Sequence, residues 1–221
     1  MQMGGCLLIA ALTAAAVYGE DAKAPANYAQ DFDAVAAGGL PGGWKIAATG
    51  PRGELAEWKV AADAGAPSKP NVLTIAAIHD TSTGVFNLCW TSRVKFKDGA
   101  ISVKARANTG KTDQGGGPMW RVRDAGNYYV CRYNPLERNF RLYVVRDGLR
   151  KQLADAKDIG VRTGEWFTIS VSHRGERIEC SLNGKKYLEA TDPIFPDAGG
   201  VGLWTKADAA TSFDDFSLTP E

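Results

Sequence analysis

The residues best equipped for chemistry lie in the middle of the chain. Arg121, Arg123, Arg132 and Arg141 occur there with Tyr128 and Tyr143 among them. A guanidinium presents a planar fork of donors that suits vicinal hydroxyls or a carboxylate, and a tyrosine ring offers a flat surface to a sugar ring. Two carboxyl residues sit close by, Glu137 in the polar stretch from Asn134 to Asn139 and Asp124 in the stretch before it. Hydrolysis of a glycosidic bond usually needs two carboxyl groups across the scissile bond, one of them a raised-pKa acid. Glu137 is the catalytic candidate; its alternative role is to balance Arg132 or Arg141 as a surface carboxylate. Asp124 opens a tight turn, where aspartate often does no more than bond the backbone.

Other reactive residues are sparse. His79 and His173 are the only histidines; neither belongs to a metal-spacing motif, and each reads as an ordinary strand or loop residue. No cofactor is expected. Asp31-Phe32-Asp33 and Asp214-Asp215 could supply oxygen ligands to a structural calcium ion, which prefers carboxylates and carbonyls. Solvated or hydrogen-bonded aspartates are the alternative reading of both stretches. Trp204, followed by Lys206 and Asp208, reads either as a sugar platform or as a core residue near the chain's end.

Strands must position these groups. The chain has 221 residues, with 25 glycines and 10 prolines scattered as punctuation between many short segments, as an antiparallel β protein requires. Val94 and Phe96 alternate with Arg93, Lys95 and Lys97; Ile101, Val103 and Ala105 alternate with Ser102, Lys104 and Arg106. Phe167, Ile169 and Val171, then Ile178, Cys180 and Leu182, continue the period of two before the hairpin signal Asn183-Gly184. No amphipathic helix of useful length follows the first residues, and one sandwich or barrel is expected over 25–221.

Residues 1–24 read as a signal peptide: Cys6 to Gly19 is almost wholly apolar, and Ala22-Lys23-Ala24 has the small-x-small form of a cleavage site. The apolar run is too short to span a hydrocarbon core of ~30 Å, so export to the periplasm or outside the cell is expected, with no membrane span. Cys89, Cys131 and Cys180 then remain, an odd number in no zinc-like spacing, and buried inert thiols are expected. With 26 basic and 25 acidic residues, the chain lacks the basic excess of a nucleic-acid binder.

Three successive antiparallel strands are expected over Met119–Arg123, Tyr128–Tyr133 and Phe140–Arg146. Pairing Arg123 with Tyr128 and Tyr133 with Phe140 sorts the side chains. Trp120, Val122, Tyr129, Cys131, Tyr133, Phe140, Leu142 and Val144 form a core face. Met119, Arg121, Arg123, Tyr128, Val130, Arg132, Arg141, Tyr143 and Val145 form the other, joined by Arg150 and Gln152. Arg132 then opposes Arg141, a repulsive pair that needs a carboxylate, solvent or a ligand to offset it. An ordinary solvated sheet face is the competing reading.

Several stretches resemble concanavalin A-like lectin/glucanase domains: Asp31-Phe32-Asp33, Gly42-Gly43-Trp44, Glu57-Trp58-Lys59-Val60, Asn127-Tyr128-Tyr129 and Gly164-Glu165-Trp166-Phe167. The closing Gly200-Val201-Gly202-Leu203-Trp204 and Phe213-Asp214-Asp215-Phe216 do so too. More closely, the chain is similar to the exported bacterial 3-keto-disaccharide hydrolase-like group. The resemblance implies an all-β, two-sheet antiparallel jelly-roll sandwich with ligands on the concave sheet, and hydrolysis of 3-keto-glycosides. The Glu-x-Asp-x-x-Glu strand of some superfamily glycosidases has no counterpart here. A carbohydrate-active exported protein is therefore expected, with a non-catalytic carbohydrate-binding module or a surface adhesion domain as the alternatives.

Overall fold

The computed structural model describes residues 27–51 and 53–221; the expected signal peptide lies outside them. The described residues form fifteen strands and no helix. The first five are β1 (Tyr28–Gln30), β2 (Trp44–Thr49), β3 (Glu57–Ala62), β4 (Asn71–Ala77) and β5 (Phe86–Phe96). Next come β6 (Gly99–Thr109), β7 (Gly117–Asp124), β8 (Asn127–Asn134), β9 (Asn139–Arg146) and β10 (Leu149–Ala156). The last are β11 (Trp166–Arg174), β12 (Arg177–Leu182), β13 (Lys185–Thr191), β14 (Gly199–Lys206) and β15 (Ala210–Pro220).

Antiparallel pairing sorts them into two sheets. One runs β13-β12-β11-β6-β15-β4-β3, with β1 paired to β15; the other runs β10-β9-β8-β7-β14-β5-β2. The chain passes repeatedly from one sheet to the other, which makes a jelly-roll sandwich. Two-residue turns at Asp147-Gly148 and Asn183-Gly184 carry positive φ at both positions. That conformation matches the twist of the strands that they join.

The period of two builds the core. Trp120, Tyr129, Cys131, Tyr133, Phe140, Leu142 and Val144 of the seven-stranded sheet meet Val103, Phe167, Ile169, Val171, Ile178 and Cys180 of the other. Cys89, Cys131 and Cys180 are free and buried there. His173 also points inward: its Nδ1 accepts a 2.9 Å bond from Trp120 Nε1. Burial, with the positive charge of Arg121 nearby, lowers its pKa to about 3.

Of several bulges, the one in β7 matters for the outer face. Arg121 adopts φ 46°, and the pairing of β7 slips against β8 between Trp120 and Asp124 and against β14 between Gly200 and Val201. Beyond this bulge the faces exchange. Val122, expected in the core, joins the outer side of the sheet. Arg121 and Arg123, expected on that outer side, turn instead to one end of the sandwich.

Candidate functional site

The outer side of the seven-stranded sheet carries a second apolar cluster. Phe86, Leu88 and Trp90 come from β5, Met119 and Val122 from β7, Tyr128 and Val130 from β8, Tyr143 and Val145 from β9, and Trp204 from β14. Such a face would ordinarily be polar and wet. Gly200 and Gly202 shape it: a Cβ at 200 would lie 3.0 Å from the indole of Trp90, and one at 202 would lie 2.4 Å from Trp90 Cβ. Glycine at both positions lets Trp90 lie close against β14.

Cations lie across these rings. Lys45 Nζ sits 4.1 Å from the centre of Trp90. The Arg150 guanidinium sits 4.3 Å from Tyr143, 4.9 Å from Phe86 and 5.9 Å from Trp204. Side chains stand roughly perpendicular to a sheet. Rings from β14 and β5 meet an arginine of the edge strand β10, across three and four intervening strands respectively, because this face curves inward.

The floor beneath is fixed by hydrogen bonds. Trp204 Nε1 donates to the Tyr128 hydroxyl at 3.2 Å, that hydroxyl contacts Thr49 Oγ1 at 2.7 Å, and Thr49 donates to the carbonyl of Ala125 at 2.5 Å. Tyr128 is therefore a buried floor residue, and burial pushes its phenol pKa up.

One rim holds the predicted arginine pair. Arg132 opposes Arg141 across β8 and β9, and Glu137 lies between them. Its Oε2 accepts from Arg132 Nη2 at 3.0 Å, Asn139 Nδ2 at 2.9 Å and Arg141 Nη1 at 3.4 Å. Burial raises the Glu137 carboxyl, but Asn139 and the two guanidiniums outweigh it and the net shift is downward. Arg132 also donates to the Oδ1 of Asn139 and to the Tyr143 hydroxyl at 3.3 Å. Arg141 Nε donates to Asp155 at 2.9 Å. Nearby, Lys206 pairs with the buried Asp113 at 2.6 Å.

Three donors on this face lack any protein partner: Arg132 Nε, Arg150 Nη1 and Trp90 Nε1. Of the residues singled out from sequence, Tyr128, Arg132, Glu137, Arg141 and Tyr143 share this side of the sheet. Arg121 and Arg123 do not. Arg121, 1 % exposed, donates to the carbonyls of Lys97, Phe195 and Gly175 and to Asp98 at 2.6–3.2 Å. Arg123 reaches Asp197 at 3.5 Å and covers Phe195. Asp124 bonds the backbone of Gly126 and the side chain of Asn127 within its turn.

Phe86, Trp90 and Lys45 also lie on this face and were not among the residues singled out from sequence. The signal was present as Phe86-x-Leu88-x-Trp90, a period of two beside the inward Cys89. Trp204 belongs to the outer face. The aspartates weighed for calcium have local partners: Asp33 accepts from Asn71 N, Asp214 from Ser68, and Asp215 pairs with Lys104 at 2.7 Å. Among the described residues, no group of three or more His, Cys, Asp or Glu is arranged to hold a metal ion. Nor is any helix among them long and apolar enough to cross a membrane.

Solved structures of the same architecture place the fold. The carbohydrate-binding module CBM66 from Bacillus subtilis superposes with a TM-score of 0.63 at 17 % identity, over 80 % of this chain and 96 % of that one. The β-glucanase of Bacillus licheniformis gives 0.60 at 10 % identity, over 88 % and 98 %. A galectin-like protein of unknown function from Bacillus subtilis gives 0.56 at 14 %, over 79 % and 88 %. The fold these structures share with the chain is thus the two-sheet antiparallel jelly-roll sandwich. No protein-family model matches the chain, and no curated protein matches it.

Proposed function

We propose that the protein binds carbohydrate on the inward-curving outer face of the seven-stranded sheet. The observation that carries this reading is the convergence on that face of Phe86, Trp90, Tyr143 and Trp204 with unpaired donors from Trp90, Arg132 and Arg150. Aromatic rings with a few placed donors suit an amphipathic sugar ring. A sugar reaches the rings by displacing Lys45 or Arg150, both long side chains held by cation–π contact. The neighbours named for carbohydrate binding or glucan cleavage support the reading by analogy of fold.

Calorimetric titration with a panel of neutral and acidic oligosaccharides tests it. Saturable heat with at least one member, lost in Trp90→Ala, is the expected result. No heat with any member, or unchanged affinity in Trp90→Ala, would remove the face as the ligand site.

The state of Glu137 favours a second, finer reading, cleavage of 3-keto-glycosides. A carboxyl held ionised by two guanidiniums is a poor general acid; it stands in its proton-accepting form, at a basicity below that of a free carboxylate. A ketone at C3 acidifies the C2 proton. Transfer of that proton to a carboxylate breaks the C1–O bond, with the leaving oxygen taking a proton from solvent; water then adds to the resulting enone. Glu137 is the base in this scheme. Glu137→Gln should abolish release of product from 3-keto-disaccharides while a neutral sugar still binds, because the amide keeps an oxygen for Arg132 and Arg141 but cannot take up the proton. Full turnover in that variant would eliminate Glu137 from the reaction.

A further inference from the structure

The cations of the outer face are unequally matched. Lys206 has Asp113, and Arg132 and Arg141 share Glu137, with Asp155 also bonded to Arg141. Arg150 has no carboxylate within ion-pair distance among the described residues, and its Nη1 is buried without a hydrogen-bond partner. Arg132, 2 % exposed, likewise has a free Nε. The two guanidiniums flank one ring: Arg150 lies 4.3 Å and Arg132 5.9 Å from the centre of Tyr143. Burial lowers the Arg150 pKa, and the like charge of Arg132 lowers it further.

A guanidinium among aromatic rings, repelled by a second and with no carboxylate in ion-pair contact, is costly for a fold that needs no charge there. An apolar residue of similar volume would serve the floor better. The arrangement makes physical sense when a planar anion completes it, because a carboxylate matches the guanidinium fork and accepts from both donors at once. The free Trp90 indole N–H is a neutral donor on the same face, suited to a sugar hydroxyl.

We propose that the ligand of this face is an acidic glycan, a uronate-containing oligosaccharide whose carboxylate is held by Arg150 and Arg132. This deepens the carbohydrate-binding reading and rests on it. Sulfated sugars share the negative charge; they differ in that a tetrahedral group matches the planar fork less well.

The test is titration of the full chain with oligouronates (galacturonate, glucuronate and mannuronate), their methyl esters, neutral oligosaccharides of equal length, and a sulfated oligosaccharide. At least one oligouronate should bind about tenfold or more tighter than its methyl ester, the equivalent of one charge-assisted hydrogen bond. Arg150→Gln should abolish that difference. Arg146→Gln, which removes an exposed cation that pairs with Asp147, should leave it intact. Because Arg150→Gln also loosens the aromatic floor, the acid-to-ester ratio on the unaltered protein stands as an independent measurement.

Equal affinity for acid and ester overturns the inference and leaves carbohydrate binding in place. A preference for the sulfated sugar over every oligouronate, or an equal loss in Arg146→Gln, overturns it in favour of unspecific charge attraction. Failure of every sugar, neutral or acidic, overturns the carbohydrate-binding reading together with it.

Discussion

Glu137 shows how neighbours decide what a residue can do. Arg132 and Arg141, brought opposite each other by the β8–β9 register, would repel, and Glu137 offsets both from a single oxygen. The same contacts hold its carboxyl ionised, which suits the arginine-balancing role weighed from sequence and disfavours a proton donor. That Glu137 could balance Arg132 or Arg141 was legible in the sequence; that both guanidiniums and Asn139 would converge on Oε2 was not. Tyr128 shows the opposite outcome. Its aromatic character and its face were legible, but its hydroxyl is used up by Trp204 and Thr49, residues 76 and 79 positions away in the chain.

At the scale of elements, β7 is the informative strand. Its neighbours β8 and β9 were readable because a short polar loop fixed Tyr133 against Phe140, and the pairing is as expected. The bulge at Arg121 was not readable: a positive φ at a non-glycine residue leaves no mark in composition or periodicity. The bulge converts Arg121 from an outer-face ligand candidate into a buried clamp. Its guanidinium joins the β5–β6 turn at Asp98, the β11–β12 turn at Gly175 and the β13–β14 connection at Phe195. Arg121→Met should therefore lower stability by about 3 kcal/mol, the usual loss when a buried charge network is broken. Urea unfolding measures that loss, and sugar affinity of the folded variant should not change. A variant as stable as the parent would contradict the clamp.

For the whole molecule, the sandwich was legible because turn signals and period-2 segments recur along most of the chain. Ile101, Val103, Phe167, Ile169, Val171, Ile178, Cys180 and Leu182 all lie in the core as the alternation requires. The second apolar cluster was harder to see. In a strand with apolar residues on both faces, such as Phe86–Trp90, the alternation is blurred, and curvature of a sheet has no local code. His173 gives the molecule a global acid response. Its folded pKa of about 3 lies below the unfolded value near 6.5. Below pH 6.5 the unfolded state therefore takes up a proton that the folded state refuses. Stability is full above pH 6.5 and falls by up to about 1.4 kcal/mol per pH unit as the pH drops toward 3. His173→Asn, which keeps an acceptor for Trp120, should flatten the urea midpoint between pH 6.5 and 4.5. A parent protein with equal midpoints at those two pH values would show that His173 titrates normally.

The central claim, that sugar binds on the outer face of the seven-stranded sheet, is tested most directly by following the indole N–H signals of the six tryptophans by NMR during a sugar titration. Trp90 has an unpaired Nε1 on the proposed face, whereas Trp120 donates to His173 inside the core. A saturable shift of the Trp90 signal is expected, with a smaller one for Trp204 and none for Trp120. A sugar that binds while both Trp90 and Trp204 stay unmoved would place the site away from this face.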